Sequence, residues 1–313
     1  MNIGIVVHGG AGTMPKDEMT GDKKIACQAA LTEALKAGYK ILNDGGNAGD
    51  AVEAAVIELE NFSLFNAGRG SVFTNKGTHE MDASIMDGKN LMCGAVAGVQ
   101  HIRNPIKLAK KVMLYSEHVL LLGEGAEEFA KQHKIEFADD DYFFTQLRYD
   151  QFQIAKKKDV VMLDNVDTGI PKESGKKFGT VGAVALDKEG NLAAATSTGG
   201  MTNKLFGRVG DSPIIGSGTY ANNKTCAVSC TGHGEYFIQH VVAYDVSCLM
   251  EYKNYTLQQA AEFVVHDKLK HAGGEGGIIA IDKQGNISLP FNTEGMYRGW
   301  MRNEKELYTA IYV

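Results

Sequence analysis

Beyond position 179 the chain gathers hydroxyls, glycines and charges into short runs. These are Gly179-Thr180, Thr196-Ser197-Thr198-Gly199-Gly200, Gly207-Arg208-Val209-Gly210-Asp211-Ser212-Pro213 and Thr231-Gly232. A threonine hydroxyl stays protonated at neutral pH and is a poor nucleophile. Cutting the peptide bond before it would expose an α-amine that titrates at roughly 7.7–8.0, so the residue would carry its own general base. Gly179-Thr180 stands where that could happen, between a polar segment and an apolar one. By itself a Gly-Thr step is an ordinary loop-to-strand junction. Other hydrolytic signatures are absent from the sequence: no GxSxG elbow, no HExxH, no GxxxxGK[ST] loop. Arg208 and Asp211 read either as a surface ion pair or as the two charges that hold an α-amino acid. Thr196 and Thr198 read equally well as strand residues, and Thr231 as a helix cap.

The neighbouring elements must hold these side chains still. Ile3–Val7 predicts a buried strand running into a loop at His8-Gly9-Gly10-Ala11-Gly12-Thr13. Cys27, Leu31, Leu35, Gly38 and Leu42 keep helical spacing up to Gly45-Gly46, and Val52, Ala55, Val56 and Leu59 mark a second helix. Phe65 to Val99 reads as turns and short strands. Asn104-Pro105 opens a helix, and two more are predicted near Ala126–His133 and Tyr142–Ala155. From about Lys156 to Gly179 the chain is charged or turn-forming and reads as a mobile linker, because it cannot bury enough apolar surface to offset its ordering entropy. Val181–Leu186 and Leu192–Thr196 form a hairpin about Asp187-Lys188-Glu189-Gly190-Asn191. Ile278–Ile281 and Ile287–Pro290 repeat it about Asp282-Lys283-Gln284-Gly285-Asn286. Helices over Glu235–Glu251 and Thr256–His271 lie between, the second with Thr256 and Gln259 in capping-box spacing. This order predicts helices packed outside antiparallel sheets.

Residues 179–223, GTVGAVALDKEGNLAAATSTGGMTNKLFGRVGDSPIIGSGTYANN, closely resemble the isoaspartyl peptidase / type III (plant-type) asparaginase family, which are N-terminal-nucleophile (Ntn) hydrolases and threonine peptidases. HGGAGT at 8–13, LFNAGRGSVFT at 64–74, HEMDASIMDG at 79–88, GAVAGVQHIRNP at 94–105, SCTGHGE at 229–235 and LPFNTEGMYR at 289–298 extend the likeness over nearly the whole chain. The resemblance implies an α+β fold, an αββα four-layer sandwich, as one domain over residues 1–313. It implies autocatalytic cleavage into an α subunit, 1–179, and a β subunit, 180–313, with 156–179 as the linker.

Carried over by position, the resemblance makes Thr180 both the residue cut at, after Gly179, and the catalytic nucleophile, with Thr198 beside it. Thr231 and the Gly232 N–H would form the oxyanion hole. Arg208 would grip the substrate α-carboxylate and Asp211 the α-ammonium, with Asn66 lining the pocket. The family's sodium loop corresponds to 59–69, where backbone carbonyls of Leu59, Glu60, Phe62, Phe65, Ala67 and Arg69 would surround one ion. No cofactor is implied for the chemistry. The implied substrates are L-asparagine and β-aspartyl dipeptides, and the implied assembly is a dimer of αβ units. A glycosylasparaginase and a non-cleaving amino-acid-binding pseudoenzyme are the alternatives. Asp82 and Asp87 receive no role.

Composition narrows the classes further. A net charge of −6, with no basic stripe interleaved with aromatics, argues against nucleic acid. The basic run Lys156–Lys158 reads as solvated. The longest apolar runs fall short of a membrane span, and the strand-like start leaves no room for a signal peptide. Five scattered cysteines, Cys27, Cys93, Cys226, Cys230 and Cys248, suit reduced thiols in a cytoplasm. Cys226 and Cys230 with His233 lack the second ligand pair a zinc site would show.

Overall fold

In the computed structural model, which describes residues 3–12, 14, 19–158, 160–161 and 179–313, the first apolar run does not stop at Val7. It continues as β1 (Gly4–Gly12) through the glycines expected to form a loop. The strand is buried throughout, and a bulge between His8 and Gly10 absorbs the irregularity, with Gly10 at φ +112°. Helices α1 (Gly21–Asn43) and α2 (Ala48–Asn61) follow as expected, the second capped by Asn47 Oδ1, which accepts from Asp50 N at 2.8 Å. Strands β2 (Met81–Asp87) and β3 (Cys93–Val99) lead into α3 (Pro105–Tyr115). Then come β4 (Leu120–Leu122), α4 (Gly123–Gln132), α5 (Asp140–Phe143) and α6 (Gln146–Lys157). The single helix expected over 142–155 is thus split, because Thr145 caps α6 by accepting from Arg148 N at 3.3 Å. Lys156 and Lys157 close α6 and do not begin the linker; the Lys156 ammonium lies 5.1 Å from the Phe152 ring centroid. Apart from residues 158, 160 and 161, the expected linker up to Gly179 lies outside the described residues.

The second half opens with β5 (Val181–Leu186) and β6 (Leu192–Thr198), then β7 (Thr219–Ala221) and β8 (Cys226–Gly232). The helix expected over 235–251 breaks at Val241 (φ +50°) into α7 (Gly234–His240) and α8 (Val242–Lys253). Carbonyls of Ser217 and Gly216 take the Ala243 and Tyr244 N–H groups, so a neighbouring loop satisfies the interrupted turn. The capping box of Thr256 and Gln259 is present at α9 (Leu257–Glu262). That helix runs on as a π-helical segment, Phe263–Leu269, into α10 (Lys270–Ala272), and Asn292 Nδ2 donates to the Val265 carbonyl inside the π segment at 3.3 Å. Strands β9 (Gly276–Asp282), β10 (Ile287–Ser288), β11 (Gly295–Asn303) and β12 (Glu306–Ala310) complete the chain.

The fold class is α+β. Among the described residues the strands form an eight-stranded sheet, β12-β11-β1-β5-β6-β2-β3-β4, and a four-stranded sheet, β10-β9-β8-β7. Among the ladders between these described strands, β3 with β4 is the parallel one. Side-chain alternation decides the layering. Val181, Ala183, Ala185, Ala193 and Ala195 face the core shared with α1, α2 and α3. Val184, Leu186, Leu192 and Ala194 face the other sheet, meeting Ala227, Ile279 and Ile281. On the far face of the small sheet, Cys226, Val228 and Cys230 pack against α7, α8 and α9. Burial there pushes the Cys226 thiol up to about 12, so it packs as an inert apolar side chain.

The two D-K-x-G-N turns are built alike. Asp187 Oδ1 accepts from Glu189 and Asn191 N–H, both at 2.9 Å, and Asp282 Oδ1 accepts from Gln284 and Asn286 N–H at the same lengths. The glycines sit at φ +81° and +83°, a conformation that favours glycine.

Candidate active site

The hairpin of β5 and β6 pairs Val181 with Ser197, so one further step along each strand sets Thr180 beside Thr198. By the same alternation both side chains lie on the face turned toward the small sheet. Thr180 Oγ1 donates to Thr198 Oγ1 at 3.2 Å, and Thr198 Oγ1 in turn donates to the Gly179 carbonyl at 3.1 Å. Gly200 N–H also reaches Thr198 Oγ1, at 3.1 Å. These residues border a narrow cavity of about 20 Å³, with Arg208, Gly210, Asp211, Ser212 and Gly232 on its other sides. That is room for little more than one water. Gly179 itself forms part of the wall.

Thr231 faces the same interlayer region from β8, but its Oγ1 accepts from Ala11 N at 3.1 Å and it does not cap α7, whose N-cap is His233. Asn66 is not on the cavity wall. Its Nδ2 donates to the Gly200 carbonyl at 2.7 Å and its Oδ1 accepts from Val72 N, so it braces the Gly199-Gly200 turn from behind.

Arg208 and Asp211 are not partners of each other. The guanidinium makes a two-pronged contact with Glu235, Nε and Nη2 each donating at 2.9 Å, which leaves Nη1, over Gly210, clear of that carboxylate. His233 Nε2 stands 3.1 Å from the same carboxylate. The His233 bond, with Arg208 adding to it, holds the Glu235 carboxyl well below the usual range. Asp211 is buried, and Oδ2 has no hydrogen-bond partner among the described residues. Burial pushes its carboxyl up to about 7, against the pull of Arg208. A substrate cation beside that oxygen would satisfy it.

Two further charges under the site had no role in the sequence reading. Lys204 Nζ is buried, donates to the Glu80 carbonyl at 2.8 Å and would lie 3.0 Å from a Cβ on Gly200. Burial lowers its pKa while Asp82, itself raised by burial, opposes the shift. Lys204 carries no local signal, because its partners are remote in sequence or are backbone atoms, and Glu235 meets Arg208 from 27 residues away although His233 stands beside it in sequence.

Around the 59–69 loop, Gly68 and Gly70 lie close against main-chain carbonyls. A Cβ on Gly70 would meet the Phe65 oxygen at 2.0 Å and the Ser63 oxygen at 2.7 Å, and one on Gly68 would meet the Glu60 oxygen at 2.6 Å. Carbonyls of Leu59, Phe62, Phe65 and Ala67 accept backbone N–H at 3.1–3.3 Å, and each keeps a second lone pair. Neutral carbonyl oxygens are the kind of donor that a hard monovalent cation takes. The Arg69 side chain is exposed, with its guanidinium 5.7 Å from the Tyr142 ring centroid. Arg148, fully buried and lowered by burial to about 9, pins the same loop through the Gly70 and Leu64 carbonyls at 2.8 and 3.2 Å.

A family model described as asparaginase matches residues 1–311. An isoaspartyl peptidase of Escherichia coli (strain K12) is 53% identical over 308 residues, covering 98% of this chain and 95% of the relative. Isoaspartyl peptidase/L-asparaginases of Xenopus laevis and Mus musculus are each 42% identical. They cover 98% and 97% of this chain, and 94% and 90% of their own lengths.

Proposed function

The chain belongs to the asparaginase family, and on that footing we propose that it hydrolyses isoaspartyl (β-aspartyl) dipeptides and L-asparagine through Thr180 as an N-terminal nucleophile. The observation that carries this reading is the 3.2 Å contact between the Thr180 and Thr198 hydroxyls, at a cavity that also holds Asp211 and Arg208. The chain first cuts itself between Gly179 and Thr180, giving an α subunit (1–179) and a β subunit (180–313) of one αββα sandwich. Gly179 lines the narrow cavity before the cut, and its departure makes room for substrate.

Thr180 Oγ1 then adds to the side-chain amide carbonyl, and the Thr180 α-amine takes the hydroxyl proton and passes it to the leaving amine. Water hydrolyses the aspartyl ester that remains. Thr231 and the Gly232 N–H hold the tetrahedral oxyanion. Arg208, aligned by Glu235, takes the α-carboxylate through Nη1, and the unpartnered Asp211 oxygen takes the α-ammonium. Substrates must therefore carry both α-groups unmodified on one carbon.

The carbonyls of Leu59, Glu60, Phe62, Phe65, Ala67 and Arg69 would hold a structural sodium. Its replacement by lithium or a bulky organic cation should lower the thermal midpoint, and an unchanged midpoint would remove it. The dimer of αβ units and the cytoplasmic location belong to the same reading.

Denaturing electrophoresis of purified protein should give two chains, the smaller beginning at Thr180. Thr180→Ala should remain one folded, inactive chain. A different first residue, or an active Thr180→Ala variant, sinks the reading.

A further inference from the structure

Asp211 and Thr180 belong to different segments: Asp211 lies in the loop between β6 and β7, Thr180 just before β5. A substrate that meets both needs the distance between them fixed. One buried hydroxyl outside the mechanism above stands where it can fix it. Ser84, on β2, lies directly opposite Thr196 on β6, as Asp82 lies opposite Thr198. Alternation therefore puts Ser84 on the face of the large sheet that carries Thr198 and Thr180. Its side chain is fully buried, and Oγ donates to the carbonyl of Ser212, a cavity residue, at 2.6 Å.

A carbonyl oxygen only accepts, so the direction of that bond is settled. Among the described residues no backbone N–H reaches the Ser212 oxygen, and its other hydroxyl neighbour, Thr219 Oγ1, is 3.4 Å away. Turning the single Ser84 proton to Thr219 Oγ1, 2.8 Å off, would leave the carbonyl of a buried residue with that long contact alone. Ser212 forms a tight corner with Asp211, whose carbonyl accepts from Ile214 N–H at 2.9 Å. The corner is seated on Gly218, where a Cβ would lie 2.5 Å from the Asp211 carbonyl oxygen and 2.8 Å from Ser212 Cα. The Gly218 carbonyl is itself held, by Cys230 N–H at 2.9 Å and Thr196 Oγ1 at 3.1 Å. Gly234 gives the carboxyl its room: a Cβ there would lie 3.0 Å from Asp211 Oδ1.

We infer that Ser84 is a positioning residue: its hydroxyl fastens the Asp211-Ser212 corner to the sheet that carries Thr180 and Thr198, and so sets where the substrate α-ammonium stands relative to the nucleophile. The bond acts through the main chain of Ser212, and Ser84 itself touches no substrate. This rests on Asp211 taking the α-ammonium.

The test is steady-state kinetics of the purified variants on L-asparagine. Asp211→Asn alone should raise KM, which checks the ammonium role independently. Ser84→Ala should raise KM roughly 10- to 100-fold and lower kcat by less than about threefold. In the Asp211→Asn background the same change should raise KM by less than about twofold, because the corner then has no charge to place. Ser84→Cys keeps a weaker, longer donor and should fall between the parent and Ser84→Ala; it takes the place of Ser84→Ala in the cycle if that variant does not fold. A merely structural loss would lower the thermal midpoint and multiply with Asp211→Asn. Parental KM in the Ser84 variants, a fall in kcat larger than the rise in KM, loss of the cut in both Ser84 variants, or an undiminished effect in the double variant overturns the inference and leaves the ammonium role standing. Parental KM in Asp211→Asn overturns both.

Discussion

Asp211 is a residue whose chemistry depends on what surrounds it. Its ordinary carboxyl value of 3.8 is pushed up to about 7 by burial, so the folded protein keeps a proton that the unfolded chain sheds. The stability linked to this proton is fully present below about pH 3.8 and is lost as pH rises to about 7. Substrate binding runs the other way, because an α-ammonium selects the carboxylate. In the proposed mechanism a Thr180 amine freed by the cut must also be unprotonated to act as base, at roughly 7.7–8.0. The acid side of the pH profile of kcat/KM should therefore approach a slope of two in the parent. Asp211→Asn should bring the slope to one, together with a large loss of kcat/KM from the missing ammonium contact. A parent slope of one, unchanged in Asp211→Asn, would take Asp211 out of substrate binding.

The β5–β6 hairpin shows how far sequence alone reaches. Its turn residues set the register, and strand alternation then puts Thr180 and Thr198 on one face, so their meeting was legible. The glycine-rich run after Val7 was misread as a loop because a bulge lets glycines stay in a strand. Val241 hid the break between α7 and α8, since its left-handed conformation is imposed by the 216–217 loop and not by residue type. Arg208 and Asp211, singled out from the sequence, both border the cavity, but the Glu235 partner lies 27 residues from Arg208 and is set by how α7 meets the loop. Gly182 offers a check at this scale. A Cβ there would lie 2.0 Å from Ser229 Oγ, 2.5 Å from His8 Nε2 and 2.9 Å from the Ala195 carbonyl, in a strand paired on both sides. Overpacking of this kind typically costs about 1–3 kcal/mol. Gly182→Ala should lower the urea midpoint accordingly, and a midpoint equal to the parent's would mean that the layers yield there.

Across the whole molecule, the segments before and after residue 179 share both faces of the core. In the large sheet β1, from the first segment, lies between β11 and β5, both from the second. On the other side β2 continues the sheet from β6. A cut at Gly179-Thr180 leaves these pairings intact, so both pieces should elute together in native size-exclusion chromatography and part only in denaturant. Elution of separate pieces under native conditions would contradict this topology. The same interleaving changes the order of the folding reaction. Before the cut, one chain folds alone; afterwards, two strangers must find each other. Renaturation of the cut protein should then obey mass action, its yield rising with dilution reversed, whereas Thr180→Ala should refold at a rate independent of concentration. Maturation would thus work as a ratchet, passed once by each molecule, with no route back to a new nucleophile after denaturation in dilute solution.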